Sequence, residues 1–412
     1  MESEYLYLQP KYVSKFQCDG KICPANCCKR DWRILIDEET FEKYSRLESS
    51  EKELTKHLEK NPEGEGWLIK QNENGCPFMN EDCLCRLQKN FGEKYLSQTC
   101  MSYPRQLCNF GEIIERVLTP TCPLAADLIL NAERLEFEFA KLNLPDWAEG
   151  NLIVGETNVP QEIYPCIIEM QLTAVSILQE RRLSIDARLV ILGYYLFQVE
   201  EIISRGDLNV LETLNKIYRS EEFFIEQVPQ LLESVNFQVL EFAQTFFTLL
   251  KKIYGSQEIL TTEGNKKYIS QIEKVFGVNF SANEDFNFRE LAENYFDLKD
   301  IKKIFLERYS LAFENYLVND FFGGVYPYKI EGTIQQNYAV FITRFKILEL
   351  TALSIMTLSR GDEKFVRGEI FQMLTDLSMD LNHNENYLAA VAEELKNKSD
   401  IAILMRGLLN VG

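Results

Sequence analysis

From about residue 160 onward, apolar residues recur at three- and four-residue steps, the pattern of helices that each bury one face. "IYPCIIEMQLTAVSILQERR", "SIDARLVILGYYLFQVEEIISRG", "NFQVLEFAQTFFTLLKKIYG", "IKKIFLERYSLAFENYLVNDFFGG" and "FVRGEIFQMLTDLSMDL" all predict helices. Several of these segments close on glycine, the residue a helix C-cap favours. No sequence repeat of fixed period is present, so a tandem solenoid is not required. Residues 1–145 read differently, as short patterned segments between turns. "DWRILIDEETFEKYSRL" predicts a brief strand and then a helix capped by Asp37 or Thr40. "EKNPEGEGWLIKQNENGCPF" predicts loop with one short strand or hairpin, and "CLCRLQKNFGEKYLSQTC" one or two short helices. "AADLILNAERLEFEFAKL" predicts a longer helix. Leu142 to Pro165 carries three prolines and little periodicity, which places the boundary between the two regimes there.

A chain of 412 residues has room for two or three domains with real cores. With 46% of residues hydrophobic and 12% aromatic, disorder is excluded as the general state. The formal charge of −19 argues against nucleic acid as a partner, because a phosphate backbone needs a basic face. An acidic field suits a cationic partner, such as a lysine-bearing protein, or serves solubility alone. The most apolar stretch, "NYAVFITRFKILELTALSIMTL", is interrupted by Arg344, Lys346 and Glu349, so no membrane span is expected. The start, "MESEYLYLQPKYVSKF", lacks the basic and then apolar run of a secretion signal. A cytoplasmic location is the expectation, and there clustered cysteines act as thiolate ligands or redox groups more often than as staples.

Ten of the eleven cysteines lie before position 123. Cys166 stands apart on an apolar helix face, where simple burial accounts for it. A redox dithiol would need a Cys-x-x-Cys, and the sequence contains none. Zinc sites favour paired knuckles, often with histidine, yet the two histidines, His57 and His383, are remote from the cysteines in sequence. Iron–sulfur ligation accepts thiolates from several irregularly spaced loops. Cys18-x4-Cys23-x3-Cys27-Cys28 followed by three later loops fits that description. Arg30 stands where a Cys-x3-Cys-x2-Cys motif would need its third cysteine, so radical chemistry is not inferred. Spacing alone therefore points to metal binding, with iron favoured over zinc.

Taken together, "YLQPKYVSKFQCDG…CPANCCKRDWRILID", "GCPF…LC…LSQTCMSYPR", "TCPLAADLIL" and "FENYLVNDFFGGVYP" resemble the flagellin lysine-N-methylases of the FliB type. The N-terminal part is similar to the wider cysteine-cluster proteins proposed to chelate zinc or iron. The resemblance runs from Tyr5 to Pro327 at least. On the family pattern the core cysteines are Cys18, Cys23, Cys27, Cys28, Cys76, Cys85, Cys100 and Cys122, with Cys83 and Cys108 as extras. The resemblance implies methyl transfer from S-adenosylmethionine to lysine side chains of flagellin. It also implies an iron–sulfur cluster, of the 4Fe–4S type, with zinc as the alternative metal. No Gly-x-Gly-x-Gly loop follows a strand, and "GEGW" at Gly64 to Trp67 predicts a turn, so the cofactor must be held otherwise. An iron with an open coordination position is one way. Eight thiolates suit one such cluster with a second closed site, or two clusters.

Tyr103 and Arg105 of "YPR" lie between two cysteines and are the expected cofactor-binding residues. Arg105 either clamps the cofactor carboxylate as a two-pronged donor or braces the cysteine loop through a salt bridge. Arg308, Asn315 and Asn319 share one helix face, which lines a cleft or is simply solvated. Trp32 is expected to shield the metal site. No residue is assigned as the base. The expected fold is mainly α: a small cysteine-rich metal domain with few short strands over residues 1–145, then an α-helical bundle over 146–412. The rival to a methylase is a non-catalytic iron or zinc carrier, or a chaperone that holds its client on the helical domain.

Overall fold

The computed structural model describes residues 4–20, 23, 27–29, 34–47, 54–62, 64–143, 159–234, 239–255, 263–282, 284–359, 363–383, 385–395 and 398–408. The chain divides into two compact units, residues 1–128 with 136–154 and residues 129–135 with 155–412. The expected boundary segment, 142–165, falls largely on residues 144–158, outside the described residues.

Among the described residues the first unit holds seven strands: β1 (Glu4–Pro10), β2 (Leu35–Ile36), β3 (Leu58–Lys60), β4 (Trp67–Ile69), β5 (Arg105–Asn109), β6 (Ile113–Leu118) and β7 (Phe137–Asn143). They form a four-stranded sheet in the order β5-β6-β1-β7 and a three-stranded sheet in the order β2-β4-β3. β1 is an inner strand, parallel to β6 with Leu6 opposite Ile113, and antiparallel to β7 with Tyr7 opposite Ala140. Its buried Tyr7 and Leu8 are legible as strand residues only once β6 and β7 cover both of its edges. Four short helices complete the chain order: α1 (Glu38–Arg46), α2 (Arg86–Phe91), α3 (Gln98–Ser102) and α4 (Pro123–Leu130). Asp37, not Thr40, caps α1: its carboxylate accepts from the Thr40 N–H at 2.7 Å. Phe41 of α1 then stacks on Trp67 of β4 with ring centroids 3.7 Å apart, which fixes the helix over the smaller sheet. The loop "NPEGEG" closes the β3–β4 hairpin, as expected.

The single helix expected over "AADLILNAERLEFEFAKL" is corrected. α4 stops at Leu130, and Phe137–Asn143 is a strand. From Leu135 the pattern alternates Leu-Glu-Phe-Glu-Phe, a period of two rather than 3.6. The free edge of β1 supplies backbone partners, and Gln9 Nε2 donates to Glu138 at 3.0 Å while Lys11 pairs with Glu136 at 2.7 Å. Local helix propensity loses to the sheet edge.

The second unit is all helix among the described residues: α5 (Tyr164–Leu178), α6 (Ile185–Ser204), α7 (Asn209–Arg219), α8 (Val228–Glu233), α9 (Val239–Gly255), α10 (Glu263–Phe276), α11 (Phe288–Asp297), α12 (Lys299–Gly323), α13 (Ile334–Leu358), α14 (Glu363–His383), α15 (Glu385–Glu394) and α16 (Lys398–Leu408). The five periodic segments form α5, α6, α9, α12 and α14. The mainly α fold is therefore as expected. α13 is the axis, packed by α6, α10, α12, α14, α15 and α16. A capping box starts it, with Thr333 and Gln336 exchanging hydrogen bonds at 2.9 and 3.1 Å. Its Arg344, Lys346 and Glu349 are buried, each with an internal partner. Arg344 bonds Asp320 at 3.0 Å and the Tyr326 hydroxyl at 3.1 Å. Lys346 pairs with Glu349, and Lys302 of α12 reaches Asp186 at 2.5 Å and Glu349 at 3.3 Å. Among the described residues no helix is long and apolar enough to cross a membrane.

Candidate metal centre

Local backbone chemistry in the first unit brings the cysteines to one place. The turn at Cys27–Lys29 presents the Cys28 carbonyl to the Cys76 N–H at 2.6 Å. Gly75 makes this approach feasible. Its φ is +98°, and a Cβ there would lie 2.3 Å from the Cys28 oxygen, closer than any side chain can come. Beyond Cys76, Asn80 organises the next turn by accepting from the Leu84 N–H at 2.9 Å and, through its carbonyl, from Cys83 at 3.0 Å. That turn delivers Cys85 to the N-cap of α2. Cys100 lies in α3, where the Ser97 hydroxyl accepts from its N–H at 3.2 Å. Cys122 immediately precedes α4 and accepts the Ala126 N–H on its carbonyl at 2.8 Å. Cys18 and Cys23 sit on the loop after β1, which folds back with the Cys23 N–H on the Asp19 carbonyl at 3.1 Å.

These loops surround a cavity of about 220 Å³ that nine of the eleven cysteines line. All eight expected ligands are among the nine, and Cys83, expected as an extra, is the ninth. Tyr103 and Arg105 also line it. The Tyr103 hydroxyl is 3.2 Å from the Thr121 hydroxyl, and Thr121 is in turn 3.0 Å from Thr119. The Arg105 guanidinium lies 5.4 Å from the centre of the Phe16 ring, on the charge side of Cys18. Arg105 has no carboxylate partner among the described residues, so the bracing salt bridge expected as its alternative role is not seen. Tyr44 is a lining residue that sequence reasoning missed. Its hydroxyl donates to the Tyr95 carbonyl at 2.8 Å, and burial together with the nearby thiols holds its pKa well above normal. Nothing in "FEKYSRL" marks it, because its neighbours come from loops 30 to 60 residues away.

Burial disfavours the thiolate form of most of these cysteines. Burial pushes the Cys100 thiol up to about 12 and Cys122 to about 11. Cys28 is raised by its hydrogen bonds to Cys27 and Cys76, while Cys76 is lowered because Cys28 donates to it. Burial raises Cys85 too, opposed by the N–H groups of Gln88 and Leu87 at the start of α2. The N–H groups of Ala125 and Leu124 act on Cys122 in the same way at the start of α4. Amide donors aimed at sulfur favour a ligand sulfur over an inert buried thiol. A bound cation would supply the missing charge and release the protons. Among the described residues no three His, Cys, Asp or Glu side chains converge on a point that could hold one metal ion.

The remaining expected positions fall elsewhere. Cys108 is buried on β5 opposite Glu115, and Cys166 is half-buried on α5 of the second unit. Neither lines the cavity. His57 packs edge-on against Phe78 and lies outside the lining, while Trp32 and the His383 side chain lie outside the described residues. The shared face of Arg308, Asn315 and Asn319 is corrected, since it is neither a cleft nor uniformly solvated. Arg308 is exposed and 3.4 Å from Glu363, whereas Asn315 and Asn319 are core residues. Asn315 Nδ2 donates to the Ala132 carbonyl at 2.6 Å. α12 turns from surface to core along its length, so one helical stripe meets two environments.

Fold and site together define a mainly helical protein whose small first unit encloses a cysteine-lined cavity. Residues 171–405, more than half of the sequence and all within the second unit, match the FliB lysine N-methylase C-terminal domain, and the chain belongs to that family. Two relatives are 34% identical to it over 134 residues, 31% of this chain. They are the lysine-N-methylase of Salmonella typhimurium, with 33% of its length covered, and the flagellar biosynthetic protein FliU of Salmonella muenchen, with 79% covered. The chain therefore spans about a third of the length of that lysine-N-methylase. No solved structure matches the chain.

Proposed function

We propose that this protein transfers methyl groups from S-adenosylmethionine to lysine side chains of flagellin, with an iron–sulfur group held in the cysteine-lined cavity. The observation that carries the reading is the conjunction of nine cysteines with Arg105 and Tyr103 around one cavity, in a chain of the FliB family. Cys18, Cys23, Cys27, Cys28, Cys76, Cys85, Cys100 and Cys122 would hold the metal. Bound there, the metal group would supply a Lewis-acid position for the amino-acid end of the cofactor. Arg105 would pair with the cofactor carboxylate, and Tyr103, fixed through Thr121, would stand beside it. In the transfer the lysine nitrogen forms a bond to the methyl carbon as the carbon–sulfur bond breaks. The sulfur leaves with the electron pair as a neutral thioether, and the new ammonium sheds its proton to solvent or a base. The amine must first be neutral, against an ordinary lysine pKa near ~10.4, which favours a partly desolvated approach.

Protein purified without oxygen is expected to show cluster charge-transfer bands with matched iron and sulfide. Incubated with S-adenosylmethionine and flagellin of its own source, it should add mass in steps of one methyl group on exposed lysines. A metal-replete preparation that adds no mass overturns the methylase reading and leaves a metal carrier or chaperone. Colourless protein with stoichiometric zinc overturns the iron–sulfur assignment.

A further inference from the structure

The cysteines around the cavity do not form one set. Cys76 belongs to the buried core built on the smaller sheet, together with Ile36, Tyr44, Ile69, Phe78 and Leu87. Cys28, Cys85 and Cys100 all pack against that same core. Their positions are fixed by rigid features: the Gly75 close approach, the start of α2 and the Ser97-capped α3. Cys18, Cys23 and Cys122 take no part in this core. They lie on the loop after β1 and just before α4; Arg105 stands over Phe16 and acts on Cys18, and the Tyr103 hydroxyl is 3.2 Å from that of Thr121, the residue before Cys122. Cys122 has Cys23 and Cys18 as its thiol neighbours, and Cys18 has Cys27, Cys23 and the Arg105 charge. Cys27, hydrogen-bonded to Cys28 and a neighbour of Cys76, Cys85 and Cys100, adjoins the inner set and also neighbours Cys18. Exposure is graded within both sets: Cys18 is exposed, Cys23, Cys28, Cys85 and Cys100 are half-buried, and Cys76 and Cys122 are buried.

We propose that the cavity holds two separate metal groups: an inner one on Cys28, Cys76, Cys85 and Cys100, and an outer one on Cys18, Cys23 and Cys122 beside Arg105. This rests on the reading of the cavity as a metal site. Four protein thiolates close the inner group, in the manner of structural sites. Three thiolates leave the outer group a position for an exogenous ligand, and the neighbouring guanidinium selects a carboxylate-bearing one. The inner group then stabilises the fold of the unit, and the outer group serves chemistry.

The test uses the full chain, reconstituted without oxygen with iron and sulfide. Iron per chain is counted for the parent and for Cys76→Ser, Cys100→Ser, Cys18→Ser and Cys122→Ser, with Cys166→Ser as control. Each of the first four is expected to lose about half of the iron, and the control none. Cys76→Ser combined with Cys100→Ser should lose no more than either alone, whereas Cys76→Ser combined with Cys122→Ser should lose nearly all. In the parent, a chelator should remove iron in two phases, the group that includes the exposed Cys18 first. That phase alone should be slowed by a carboxylate-bearing ligand such as S-adenosylmethionine. The chelation experiment stands even if a variant of the core-packed Cys76 fails to fold. Complete loss of iron in every cysteine-cavity variant with single-phase chelation of the parent means one group and overturns the division. A folded parent that takes up no metal overturns the metal reading itself, and this inference with it.

Discussion

A guanidinium beside a set of thiols can neutralise them or recognise a ligand, and for Arg105, whose charge favours the thiolate of Cys18, the two roles predict different results. Arg105 opens β5 directly after Pro104, faces the cavity, and has no carboxylate partner among the described residues. Arg105→Lys keeps the charge but loses the planar fork. The expected result is cofactor binding weakened by about 1.5–3 kcal/mol, the range for a hydrogen bond to a charged group, with metal content unchanged. Calorimetric titration of S-adenosylmethionine into the metal-replete variant measures it, and unchanged affinity rules the clamp out. Arg105 and the cysteines were legible in the sequence because their chemistry is carried by the side chain itself. Gly75 and Tyr44 were not. One matters for a backbone approach at 2.3 Å and the other for neighbours contributed by distant loops.

At the level of elements, the helices of the second unit follow their periodicity, and α13 shows where periodicity stops being informative. Nearly every residue from Ile334 to Ile355 is buried, so no polar stripe remains to orient the helix. Its charges are answered instead by other helices, with Lys302 of α12 between Asp186 of α6 and Glu349 of α13. Replacing Lys302 by Met fills the volume but leaves two carboxylates without this cation in a dry core. The expected cost is about 3–5 kcal/mol, the usual penalty for breaking a buried pair from one side. Urea denaturation followed by circular dichroism reads it, and a loss below about 1 kcal/mol would mean that Lys346 alone satisfies Glu349. β7 teaches the complementary lesson. Its residues follow a stretch read as helix, yet they pair with β1 over its whole length as an antiparallel strand.

For the molecule as a whole, a charge of −19 creates a field that draws lysine-rich surfaces and is screened over about 8–10 Å at ordinary salt. The initial methylation rate at limiting flagellin should therefore fall as sodium chloride is added. A flat profile would assign the acidity to solubility and leave the chemistry standing. The sequence by itself determined the helical second part, the concentration of ten cysteines before position 123 and the family motifs, because periodicity, composition and short motifs are local properties of the chain. Only the tertiary structure decided that nine of those cysteines share one cavity, that Cys108 turns away, and that Asn315 and Asn319 belong to the core. Those outcomes depend on which distant strands pair and which loops meet, and pairing over more than a hundred residues leaves no trace in local spacing.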